Sequence, residues 1–128
     1  VLHGIDVPHA RLKEEYEAIW QEYWQNQKEM LEDRFGIYSY QFVQTEGIKR
    51  IIGMGSNYRN GNQSGGMSVE LLNSESKPIG FFWMRGSRTE PVFRLMVDIQ
   101  SADPTDELFL FDIHRQLVEK ANLLAKQA

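Results

Sequence analysis

The chain has 128 residues, 41% of them hydrophobic and 25% charged, with a formal net charge of −4 and a pI near 5.4. These values predict one globular domain over 1–128 and argue against a nucleic-acid-binding domain, which is as a rule basic. There is no cysteine, which excludes disulfides, thiolate nucleophiles and cysteine-ligated zinc, and no apolar run reaches the roughly 18 residues of a membrane span, so no membrane insertion within this chain is expected.

Val1 to Val7 reads as an N-terminal arm, and Pro8 suits the first turn of a helix. From there to about Phe35 there is no glycine and no further proline. Leu12, Tyr16, Ile19, Trp20, Tyr23, Trp24, Gln27, Met30 and Leu31 recur at spacings of three and four, with glutamates mostly on the other face. The pattern predicts a helix of roughly 25 residues and about 40 Å. A small sheet covers only part of such a helix. The surplus is expected to pack on a second helix or to meet a partner.

Gly36 is a plausible helix stop. Beyond it the period changes to two. Strands are expected at Ile37–Gln44, with Tyr38, Tyr40 and Phe42 on one face, at Ile48–Met54, at Met67–Leu72, at Ile79–Met84 and at Val92–Ile99. Phe81-Phe82-Trp83-Met84 is apolar on both faces, so that strand should lie inside the sheet or have its outer face covered. Residues 55–66 form a polar loop rich in Gly and Asn, and 86–91 form another. Asp103 and Pro104 begin a second helix that runs to about Ala125. The short connections predict antiparallel neighbours. The expected fold is α+β: a long N-terminal helix, a five-stranded antiparallel meander and a C-terminal helix packed on one sheet face.

No catalytic constellation is visible. Gly53-Met54-Gly55 lacks the third glycine of a dinucleotide loop, since that position is Tyr58. His3, His9 and His114 do not cluster, and Asp112 and His114 point to different faces of their helix. No metal site and no cofactor are expected. Residues 36–100 hold seven bases against five acids in an otherwise acidic chain, which would suit an acidic partner. In a meander, the loops after the second and fourth strands share one end of the sheet. That would bring Tyr58 and Arg59 towards Arg85 and Arg88 as an anion-recognising patch. The stripe of Tyr16, Trp20, Tyr23 and Trp24 is expected to serve as core and, in part, as a surface for a second copy or another protein.

The order of helix, meander and helix resembles the RWD-like heads at the ends of kinetochore coiled coils. The hairpins from Val69 to Trp83 are similar to those of extracytoplasmic PAS-like sensor domains. No functional residue is carried over from either resemblance. The missing catalytic set and the surplus of the aromatic helix lead to the expectation of a non-catalytic protein-interaction or dimerisation module acting through that helix and the sheet. The alternative is a small-ligand sensor or regulatory domain using the loops 56–66 and 86–91. An enzyme without a recognisable motif ranks third.

Overall fold

The computed structural model describes residues 2–5, 7–46, 49–55, 58, 65–87, 91–101 and 103–127. In chain order they form β1 (Leu2–His3), α1 (His9–Phe35), β2 (Ser39–Glu46), β3 (Lys49–Ile52), β4 (Gly66–Leu72), β5 (Pro78–Gly86), β6 (Val92–Ile99) and α2 (Pro104–Gln127). The class is α+β as expected, but the sheet has six strands rather than five. The addition comes from the arm: Leu2 pairs with Phe93 and His3 with Val92, and the Ile5 amide donates to the Pro91 carbonyl at 2.8 Å. A two-residue strand has no period to read, so the alternation signal misses it.

The strand order β1-β6-β5-β4-β2-β3 is also not the sequential meander. β3 pairs with β2 and lies at the edge, while β4 takes the place on the other side of β2. The composition of the two strands explains the exchange. Lys49-Arg50-Ile51-Ile52 is short and charged, which suits an edge. Met67 to Leu72 is apolar and runs in register with β2 from Ser39↔Leu72 to Thr45↔Gly66. β5, apolar on both faces, lies between β4 and β6 in the interior of the sheet.

α1 is ended by Gly36, whose φ of 71° lies in the left-handed region; the Gly36 amide donates to Glu32 and that of Ile37 to Leu31. Asp103 begins α2 as expected, its carboxylate accepting from the Thr105 amide at 2.9 Å and from the Thr105 hydroxyl at 2.7 Å. These bonds hold its pKa below the ordinary carboxylate value.

The core lies between the helices and one sheet face. Leu12, Tyr16, Ile19 and Trp20 of α1 and Leu110, His114, Val118 and Ala121 of α2 are buried with Phe42, Met67, Val69, Phe82, Met84 and Phe93 of the sheet. Trp20 is its centre. It is fully buried and meets Tyr40 and Phe82 edge to face at 5.4 and 5.2 Å between ring centroids. Tyr16 and Trp20 are therefore core residues. Only Tyr23 and Trp24 remain half-buried and within reach of a partner. Tyr38, expected on the strand and on one face with Tyr40 and Phe42, precedes β2 and is exposed. The surplus helix surface is real: between Trp20 and Leu31 no residue of α1 is buried.

Two buried charges on α1 hold the crossover from β3 to β4. The Glu17 carboxylate accepts from the Gly55 amide at 2.9 Å, and the Lys13 ammonium donates to the Gly65 carbonyl at 2.7 Å. Spaced one turn apart, they fasten the start and the end of the connection to the same helix face.

Removing the central indole tests this packing. Trp20→Ala is expected to cost about 4 kcal/mol, measured as a fall in the urea midpoint. Gln25→Ala, on the exposed part of the same helix, should stay within about 0.5 kcal/mol of the parent. Similar losses for the two would show that Trp20 is not central.

Candidate functional site

The helices cover one face of the sheet, so the side chains of opposite parity are left on the other. The register sorts them into transverse rows. Ile52 pairs with Val43, Val43 with Ser68, Ser68 with Trp83, and Trp83 with Met96. This row crosses five strands and, Ser68 apart, is apolar. Its ends are open, with Ile52 and Met96 each 52% exposed, but its middle is closed: Val43 and Ser68 are buried where the Arg50–Glu70 ion pair reaches from one bordering row to the other. Towards one side lies a cationic row: Arg50 pairs with Thr45, Thr45 with Gly66, and Arg85 with Arg94. Towards the other side Gln41 pairs with Glu70, Glu70 with Phe81, and Phe81 with Asp98.

The middle row is seated by a glycine. A Cβ on Gly66 would lie 2.8 Å from the Trp83 indole nitrogen and 2.6 Å from the Thr45 hydroxyl. Only glycine lets the indole lie beside β4 there. Glu70 is engaged within the chain, accepting from the Gln41 amide at 2.7 Å and pairing with Arg50. Among the described residues, Arg85, Arg94 and Asp98 have no ion-pair partner, and all three are exposed. Arg85 and Arg94 face each other directly across two strands, an arrangement that like charges disfavour. With Gly86 and Ser87 they line a cleft of about 240 Å³.

The expected loop patch is only partly in view. Arg59 and Arg88 lie outside the described residues. Tyr58 is 42% exposed, and its amide donates to the Gly55 carbonyl at 3.1 Å. The shared end expected of a meander is not found: β3 runs parallel to β4, so the chain leaves β3 towards the end of the sheet opposite to the end of β5, and only its entry into β4 at Gly66 lies beside that end. Of the four predicted residues, Arg85 is the one that joins the open face, and its neighbour there is Arg94. Alternation along Val92–Ile99, with Phe93, Leu95, Val97 and Ile99 on one face, puts Arg94 on the other but does not show its partner across the strands.

A second polar group lies under the open face. His114 Nε2 donates to the Trp83 carbonyl at 2.8 Å, which leaves Nδ1 to accept from the Tyr16 hydroxyl at 2.8 Å. Burial lowers the His114 pKa to about 4, against the opposing pull of the bond to Trp83. Burial likewise raises Tyr16 well above its ordinary value, with a smaller contribution from Tyr23. The ring is therefore neutral at pH 7. Both side chains are almost wholly enclosed, so the pair fastens α1 and α2 to the strand that carries Trp83 and cannot reach a substrate. No group of three His, Asp or Glu among the described residues could hold a metal ion. No helix among them is long and apolar enough to cross a membrane.

Comparison with known protein families, curated proteins and solved structures gives no match. The likenesses to RWD-like heads and PAS-like domains thus remain likenesses in the order of elements.

His114 sets a pH dependence of known sign. Its pKa is lowered from 6.5 to about 4 in the folded chain. Between those values the unfolded chain binds a proton that the folded chain refuses. Stability is complete above pH 6.5 and is lost as pH falls through 4, by roughly 3 kcal/mol. Urea titrations across that window should show the loss, and His114→Gln should remove most of the slope. An unchanged slope in that variant would place the titrating group elsewhere.

Proposed function

We propose that this chain is a protein-interaction domain whose contact surface is the uncovered face of its sheet. The observation that carries the reading is the open stretch of this face on β5 and β6, where half-buried Trp83 lies beside exposed Met96, with Arg85 and Arg94 to one side and Asp98 to the other. Contact surfaces have this anatomy: an aromatic or aliphatic centre inside a polar rim, with tryptophan, methionine and arginine enriched. A rigid sheet presents such a surface without the entropy cost of ordering a loop. The half-buried Tyr23 and Trp24 on the surplus part of α1 form a secondary area on the opposite side of the molecule.

A photo-crosslinking amino acid separates the two surfaces. Placed at Met96 it is expected to give a discrete protein adduct, and placed at Gln25 on the exposed helix it should give none. Adducts from position 25 alone would transfer the contact to α1 and overturn this assignment.

A second reading, a small-anion sensor, has one observation in its favour. Arg85 and Arg94 oppose each other beside a cleft, with no carboxylate among the described residues to pair with them. A bound anion would relieve that repulsion. Inorganic phosphate should then raise the melting temperature, and Arg85→Ala should abolish the rise. Equal shifts in both proteins would remove the sensor reading.

A further inference from the structure

On the reading of the open face as a contact surface, we propose that its occupant is a second copy of this chain, stacked face to face about a two-fold axis that runs along the apolar row. The pattern of the face is self-complementary. The cationic row lies two residues to one side of the apolar row on β5 and β6, and the row containing Asp98 lies two residues to the other side. A two-fold axis along the apolar row exchanges those sides and leaves the order of strands unchanged. Trp83 and Met96 then meet their own counterparts across the interface. Arg94 lies opposite Asp98 of the other copy, and Arg85 lies opposite its Phe81. Each copy thus supplies the carboxylate that Arg94 lacks among the described residues of its own chain, in the reciprocal form that an isologous contact requires.

Dimensions agree with this occupant. Four strands of seven to nine residues, with the four of β3 and the two of β1, at about 4.8 Å between strands and about 3.3 Å per residue, make a flat face of roughly 600 Å². Side-chain relief enlarges that flat area towards the roughly 800 Å² per partner of a stable contact. Aligned sheets stack about 10 Å apart, a gap that two facing layers of side chains fill. The charges also act against slippage. Sliding one copy along its strands would move Arg94 off the opposing carboxylate, so the rows set the register as well as the attraction.

The test uses paired charge reversals at exposed positions, read by sedimentation of the full chain. The parent is expected to dimerise. Arg94→Asp leaves like charges facing across the axis and should weaken the dimer roughly tenfold or more, and Asp98→Arg should do the same. Mixed together, the two variants should form a one-to-one heterodimer, because every facing pair is then opposite in sign. Circular dichroism should show both variants folded. A parent that is monomeric at every concentration overturns self-docking. So does a dimer that neither reversal weakens, or a pair of monomeric variants that fail to associate. If the parent stays monomeric while position 96 crosslinks to a different protein, the second copy is refuted and the contact surface stands.

Discussion

The burial of Trp20 is the constraint from which the rest of the architecture follows. An indole at the middle of a long helix must find a dry bed, and Tyr40, Phe82, Tyr23 and Trp24 supply it. Burying a side chain of that size removes an area of order 200 Å² from water, which no other single group in the chain equals. Tyr40 comes from β2 and Phe82 from β5. The helix therefore cannot lie over one hairpin but must cross the middle of the sheet. The contact of Phe82 with His114, at 5.1 Å between ring centroids, continues the seam to the second helix. Tyr16 then closes the circuit by its hydrogen bond to the same imidazole.

Placing both helices on one face has a consequence for the other. β5 is apolar on both sides, and only its inner side is satisfied by α1 and α2. Phe81 and Trp83 face outwards as a direct result, and the pairing of strands lines Trp83 up with Val43, Ile52 and Met96. Trp83 links the two sides of the sheet. The Trp83 carbonyl accepts from His114 in the core, while its indole lies over Gly66 on the outside. The residue at the centre of the proposed contact is thus anchored from within, by a group whose own burial keeps it neutral.

The aromatic-rich segment from Tyr16 to Phe42 was legible as helix followed by strand, because the apolar spacing changes from three-and-four to two at Gly36. The capping of both helices was legible too, since Gly36, Asp103 and Pro104 act through local backbone geometry. The inner position of β5 could be read from its apolar runs on both faces. The place of β3 could not. Antiparallel pairing of either side of β2 satisfies the same short-range rules, and the choice depends on which competitor buries more. The sixth strand escaped for a different reason, as two residues carry no period. His114 gave no signal because a lone histidine is informative only when its neighbours in space are known.

The candidate site divides along the same line. Sequence alone determined that Trp83, Met96, Arg94 and Asp98 lie on strands, that Arg94 and Asp98 point outwards, and that one strand carries more apolar surface than a single helical layer can cover; Arg85, read as part of the following loop, was placed on β5 by the structure. Side-chain alternation is a property of the backbone and needs no partner. Tertiary structure alone decided that these residues stand in rows, apolar in the middle with cations and acids on opposite sides. Register between strands distant in sequence is set by the joint packing of all of them over Trp20, and a shift of two residues in any strand would scatter the rows without changing a single local preference.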